Sequence, residues 1–392
     1  MDVRIISKDP VQRDVRALHI LAPLLAASLL GACTRAAVPE GGARHFDTAI
    51  FLEDSAATSA NVSVGDVDGD GHLDVVLVKG RHWPLLDLVL LGDGNGGFAD
   101  PYAVGPDADR SYSGELVDLD GDGDLDIVVS NDDPDPKLVH LNDGTGHFSV
   151  GSTFGEPEWS TRHLAVADFD GDTRLDAVLA NRYGDNTGPS FICFGTAEGG
   201  FNAPCVAVSM GSATTITPAD LNGDGAPDLV VPHRDGGQSY VYLNDGAGHF
   251  EERHPFGPPD ANIRSAKVAD LDGDGVPDLA AIDERTGPAL FMGEPGVTFG
   301  PAQPLDASGA RPYAIRVADM DGNGRPDIIV GFVESRPIVY FNDGPGAFTP
   351  VPFGDDEGSA YGFAVGDLNE DGLLDIAMAR SEARNVLYLG SR

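Results

Sequence analysis

One acidic, glycine-rich nonapeptide, Asp-x-[Asp/Asn]-Gly-[Asp/Asn]-Gly-x-x-Asp, recurs seven times with two departures. The copies open at Asp66, Asp118, Asp168, Asp220, Asp270, Asp319 and Asp367, at intervals of 52, 50, 52, 50, 49 and 48 residues. A period near 50 marks one supersecondary unit that cannot bury its faces alone and stacks on its neighbours.

The first copy runs Asp66-Val67-Asp68-Gly69-Asp70-Gly71-His72-Leu73-Asp74. Side-chain oxygens at positions 1, 3, 5 and 9, with a backbone carbonyl at 7, form a hard-oxygen ligand set numerous enough for Ca²⁺. Gly at position 6 permits the positive φ that folds the flanking carboxylates onto one point. The set comprises Asp66, Asp68, Asp70, His72 and Asp74; Asp118, Asp120, Asp122, Asp124 and Asp126; Asp168, Asp170, Asp172, Arg174 and Asp176; and Asp220, Asn222, Asp224, Ala226 and Asp228. It continues with Asp270, Asp272, Asp274, Val276 and Asp278; Asp319, Asp321, Asn323, Arg325 and Asp327; and Asp367, Asn369, Asp371, Leu373 and Asp375. The position-7 members (His72, Asp124, Arg174, Ala226, Val276, Arg325, Leu373) act through their carbonyls. An EF-hand would close with Glu at position 12 and open a helix. Here position 12 is Leu77, Val129, Leu179 or Val231, and β-type runs such as Asp126-Ile127-Val128-Val129 follow. The loop therefore joins two strands. Asp, Asn and Gly also make good turns, but turn chemistry does not require three or four carboxylates within nine residues. Thr173 replaces the position-6 Gly in copy three and resists positive φ, so that site is expected to be the weakest or to be distorted. Glu370 replaces the position-4 Gly in copy seven.

Each unit continues through an apolar strand, a variable segment, another strand and a Gly-rich turn ending in Phe, as in Asn142-Asp143-Gly144-Thr145-Gly146-His147-Phe148. With the strand entering the acidic loop, that makes four short strands per unit. Seven such units predict an all-β, seven-bladed propeller. The seventh unit ends at Asn385 to Gly390 without its fourth strand, while Gly42 to Asp47 looks like the piece that follows a Gly-rich turn. The N-terminal strand is expected to complete the last blade and close the ring. These residues resemble the FG-GAP/VCBS repeat family, which includes the integrin α-subunit propellers and many bacterial surface proteins. The resemblance covers about residues 44 to 390 and implies up to seven structural Ca²⁺ ions in loops between the first and second strands of each blade. It says little about function.

Residues 1–32 have the form of a signal peptide: basic Arg4, Lys8, Arg13 and Arg16, then an apolar stretch from Ala17 to Leu30 too short to span a bilayer. Leu30-Gly31-Ala32-Cys33 resembles the bacterial lipobox. The resemblance implies lipidation of Cys33, a tether over 33–43 and a propeller over 44–392. It further implies residence in the bacterial cell envelope at the outer membrane, with the lipid as the only membrane contact. Cys193 and Cys205 lie nearly opposite across one hairpin, and an oxidising compartment would allow them to bridge. Net charge is −38, which argues against a nucleic-acid partner. Without residues 1–32 it is −39, and seven Ca²⁺ would bring it to about −25. A closed ring has no need of a second copy to fold, so a monomer is expected.

The connections opposite the acidic loops carry many Lys, Arg and aromatic residues, among them Lys79, Arg81, Trp83 and Trp159. Six residues before each opening Asp stand Ala60, Tyr112, Arg162, Thr214, Arg264, Tyr313 and Tyr361. That register predicts a ring at the mouth of the central channel, with two Arg and three Tyr suited to a carboxylate or a sugar. Three residues before their Asp, Glu115, Lys267 and Arg316 point to an ionic cluster nearer the axis. The favoured function is a calcium-stabilised binding or adhesion module for a glycan or protein at this upper face. The alternatives are a lyase-like polysaccharide enzyme using Tyr112, His163 or His82, or a scaffold subunit of an envelope complex. No Gly-x-Ser-x-Gly, His-Glu-x-x-His or phosphate-cradling loop occurs.

Overall fold

The computed structural model describes residues 42–183, 188–305 and 309–392; the signal-peptide and lipidation assignments, Cys33 included, lie outside them. The described residues form an all-β, seven-bladed propeller with no helix. β1 (His45–Phe51) precedes the first blade, which is β2 (Ser59–Gly65), β3 (Asp74–Lys79), β4 (Leu88–Leu90) and β5 (Tyr102–Ala103), paired in that order. Five further four-stranded antiparallel sheets follow in sequence order. The fifth blade carries an extra hairpin, Gly293–Glu294 with Thr298–Phe299.

Closure follows the expected course. The last sheet takes Ser359–Gly366, Asp375–Ser381 and Val386–Ser391 from the end of the chain and β1 from its start. β1 pairs antiparallel with Val386–Ser391, Thr48 opposite Leu389 and Phe51 opposite Val386. Phe46 occupies the station that Phe148 or Phe250 holds after its Gly-rich turn, and packs on Phe353 at 5.5 Å.

The second strand of a blade is covered by neighbouring blades on both faces. Its sequence is therefore a continuous apolar run rather than an alternating one. Asp74–Lys79, Asp126–Asn131, Asp176–Asn181 and Asp327–Phe332 are buried at every residue. Among the described residues the core is divided into seven apolar clusters, one at each blade interface. The cluster joining the first and last blades (Leu52, Val62, Leu77, Ala377, Leu387) matches the others in kind, so hydrophobic burial continues unbroken around the ring. A buried polar latch lies at the same seam. Glu53 accepts from Lys79 Nζ at 2.6 and 2.7 Å and from Asn385 Nδ2 at 2.5 Å. Lys79, read in the sequence as an upper-face cation, is consumed by this latch, with its side chain 5% exposed. Cys193 and Cys205 are joined by a disulfide across the third blade's outer hairpin.

Candidate functional site

The acidic loops and Gly-rich turns share one face of the disc. Asp66 accepts from Gly69 N at 2.8 Å and Gly71 N at 3.0 Å. The opening Asp of every other loop is held the same way by amides three to five residues on. Position 3 accepts from the position-5 amide and position 5 from the position-7 amide, as in Asp68, Asp70 and His72. Such bonds fix the carboxylates and leave oxygen lone pairs free for a cation. In five loops three carboxylates bring an oxygen each within 4.8 Å of one another: Asp66/Asp68/Asp70, Asp118/Asp120/Asp122, Asp168/Asp170/Asp176, Asp270/Asp272/Asp278 and Asp319/Asp321/Asp327. Loops four and seven, where Asn222 and Asn369 hold position 3, are not among them. The all-oxygen, multiply charged donor set fits a hard divalent ion such as Ca²⁺.

Thr173 adopts φ 73° and Glu370 φ 55°, so both departures keep the backbone path of the loop. Thr173 N still donates to Asp168 at 2.9 Å. Glu370 meets His72 of the first loop at 2.5 Å, and this partner raises the imidazole's pKa. Arg174 turns back onto Asp172, and Arg325 Nε donates to Asn342 O at 2.8 Å. Arg44 bridges Asp321 and Asp343, at 2.5 and 2.8 Å.

Two features of this face escaped the sequence reading. The position-9 Asp is a staple as well as a candidate ligand. Asp74 accepts from Val67 N in its own loop at 2.7 Å and from Gly92 N at the opening of the Gly-rich turn at 2.8 Å. Asp126, Asp176, Asp228, Asp278, Asp327 and Asp375 repeat the pattern. Burial raises all seven pKa values, Asp327 to about 7 and Asp375 to about 6, against the lowering effect of those amides. The second feature is an alternation. In blades two, four and six, Asn142, Asn244 and Asn342 open the Gly-rich turn, and each Nδ2 reaches the preceding blade's loop, at Val67 O, Phe169 O and Leu271 O (2.7 to 2.8 Å). The other blades have Gly there; at Gly92 a Cβ would come within 2.2 Å of Leu73 O.

The opposite face holds the predicted ring, and a β-bulge builds it. In six innermost strands, pairing with the second strand skips one residue: Ala60, Tyr112, Arg162, Arg264, Tyr313 and Tyr361. A bulge frees the extra residue from the ladder and re-aims its side chain. In the fourth blade the innermost strand is only Thr217–Ala219, and Thr214 holds the equivalent station. All seven residues line one central cavity of about 240 Å³, together with Glu115, His163, Lys267 and Arg316.

Arg264 lies over the Tyr313 ring at 3.8 Å and donates to Tyr313 O at 2.9 Å. Tyr313 meets Tyr361 edge-to-face at 4.9 Å, and Arg81 covers Tyr361 at 3.8 Å. Arg162 lies over Tyr112 at 4.2 Å and pairs with Asp132 at 2.7 Å. Glu284, nearly buried, is shared by Arg234, Arg264 and Arg311 at 2.6, 3.1 and 2.5 Å. The three guanidiniums, aided by hydrogen bonds, pull its pKa down against its burial. Burial raises the Tyr112 pKa, only partly offset by Arg162, and lowers that of His163 to about 3, with Lys267 adding to the drop. Glu115, Lys267 and Arg316 face the cavity without pairing with one another. Trp83 is 71% exposed and stands outside the cavity lining. Trp159 does not join the ring: it stacks on Phe191 at 3.9 Å.

The FG-GAP-like repeat model matches residues 66–129, 118–179, 220–281, 270–330 and 319–378. The chain belongs to the FG-GAP repeat family. No curated protein matches it. Among solved structures, the BP39L lectin from Burkholderia pseudomallei superposes with a TM-score of 0.62 at 15% identity, over 86% of this chain and 99% of the lectin. BBS1N in complex with ARL6DN gives a TM-score of 0.58 at 13% identity, over 89% of this chain and 97% of that one. At such identities the likeness is one of fold alone.

Proposed function

We propose that this FG-GAP propeller is a calcium-stabilised binding module, held in the bacterial envelope by lipid on Cys33, that takes a glycan or protein at its upper mouth. The observation carrying this reading is the bulge-built ring: Tyr112, Arg162, Arg264, Tyr313 and Tyr361 are freed from the strand ladder and face one cavity. That one fold neighbour is a lectin and another was solved with a protein bound is consistent with either ligand class. Burial lowers the His163 pKa to about 3, so that imidazole is not tuned for proton transfer near neutral pH; the lyase alternative rests on Tyr112, whose hydroxyl lies 3.1 Å from His82 Nε2.

The acidic loops supply the rigidity. Each would hold Ca²⁺ through its carboxylates and fix the strand pair that presents one ring residue. The test is to screen the propeller against glycan and envelope-protein arrays, alongside Tyr361→Ala and Arg81→Ala. Loss of a wild-type signal in both variants supports the upper mouth; retention in both removes it. Labelling with radioactive palmitate, abolished by Cys33→Ser, checks the anchor.

A further inference from the structure

Resting on the upper-mouth reading, we infer that the central channel beneath the ring is an anion site, and that the ligand is a carboxylated sugar whose acid group enters it. Lys267 and Arg316, on adjacent blades, line the channel facing a single carboxylate, Glu115. Among the described residues none of these three has a hydrogen-bond or ion-pair partner. Most other upper-face arginines do: Arg110, Arg162, Arg182, Arg234 and Arg311 each pair with an Asp or Glu. On residues of the same cavity wall, Arg162 Nε, His163 Nδ1 and Thr214 Oγ1 are buried without a partner. A carboxylate, which only accepts hydrogen bonds, answers the Lys267 and Arg316 donors that the channel itself presents.

The charge distribution agrees. Glu284 balances only one of the three arginines it holds, and Arg81 is hydrogen-bonded to Ser381 rather than to an acid. The mouth and channel are thus net positive in a chain of net charge −38, and low-dielectric walls concentrate that field. The guanidiniums over Tyr112, Tyr313 and Tyr361 cover one face of each ring. The mouth therefore offers N–H and O–H donors more than open stacking surface, which favours an acidic sugar over a neutral one. The volume, about 240 Å³, is below the roughly 300–1,000 Å³ of sites that enclose a drug-sized ligand. It suits the acidic end of a longer chain.

Titration calorimetry of the Ca²⁺-loaded protein with galacturonate and N-acetylneuraminate, up to about 10 mM to reach weak binding, tests this. The controls are the uncharged methyl ester of galacturonate and galactose. At least one acid should bind, and esterification should weaken galacturonate, if it is the ligand, by roughly tenfold or more. Lys267→Met and Arg316→Met should each lower affinity for the acid by roughly 10- to 100-fold and leave any neutral binding unchanged. Lys267→Met should also melt no lower than wild type, because it removes a desolvated, unpaired cation; a merely structural lysine would melt lower when replaced. Equal binding of acid and ester, or wild-type affinity in both channel variants, overturns the anion site. If Tyr361→Ala still abolishes binding of a neutral glycan or a protein, the upper-mouth reading survives that failure. Absence of binding by either acid overturns the anion site, and an empty array screen overturns both.

Discussion

Asp87 and Thr173 show how individual residues are bound to their surroundings. Asp87 accepts from Lys79 N at 2.6 Å and from Ser111 Oγ at 2.8 Å, tying the first blade to the second. Burial raises its pKa from 3.8 to about 7 despite those donors. In the unfolded chain it ionises near 4, so between about pH 4 and 7 the folded state binds more protons there than the unfolded one. Stability then falls as pH rises through that window. Asp87→Asn keeps both hydrogen-bonding partners and removes the titration. In urea melts the difference in unfolding free energy between variant and wild type should shift in the variant's favour from pH 5 to 8. A constant difference would mean that Asp87 ionises normally. Thr173 sits at φ 73°, a conformation that costs an L-residue about 1–2 kcal/mol. Thr173→Gly should raise stability by about 1 kcal/mol, read as a higher melting temperature with Ca²⁺ present. The sequence identified Thr173 as the odd residue, and the structure shows how the loop accommodates it. Asp87 was invisible, because nothing in a connecting segment says which carboxylate will be covered by the next blade.

At the scale of strands and loops, much was legible and the rest fails for identifiable reasons. The acidic loop, the four-strand unit and the orphan strand β1 could be read because each rests on local pattern: turn residues at fixed spacing and apolar runs between them. The ring at the mouth was legible as a register but not as a cause. A bulge leaves no mark in a sequence, since Ala60, Arg162 and Tyr313 have nothing in common except their distance from the next Asp. The Asn/Gly alternation at the turns was visible in Asn142 against Gly92, yet its meaning depends on a carbonyl 75 residues away. Trp159 was misplaced because an aromatic in a loop says nothing about which blade it will pack on. The seam between β1 and the last blade is where closure can be tested. Glu53→Ala would leave Lys79 buried and unpaired, which costs about 3–5 kcal/mol. The variant should melt at lower temperature and self-associate in light scattering as the edge of Val386–Ser391 becomes available. A monodisperse variant with unchanged melting would show that the seam holds without its polar latch.

For the whole molecule the governing relation is between negative charge and ring integrity. Crowded carboxylates occupy one end of every blade, and the strands they connect present the ring residues at the other end. An ion in a loop stabilises only the folded blade, so occupancy adds directly to folding free energy, by about 2.7 kcal/mol per site at a hundredfold excess over Kd. Because each blade packs on two neighbours, loosening a loop weakens both interfaces and the ring residues that the blade carries. The measurement that bears most directly on this account is a thermal melt of residues 34–392 in millimolar Ca²⁺ and again in excess chelator. The account predicts a large fall in melting temperature on chelation, restored by Ca²⁺ and reproduced poorly by Mg²⁺, which holds its waters and demands octahedral geometry. Coincident melts in Ca²⁺ and in chelator would contradict it, and would reduce the seven acidic loops to turns.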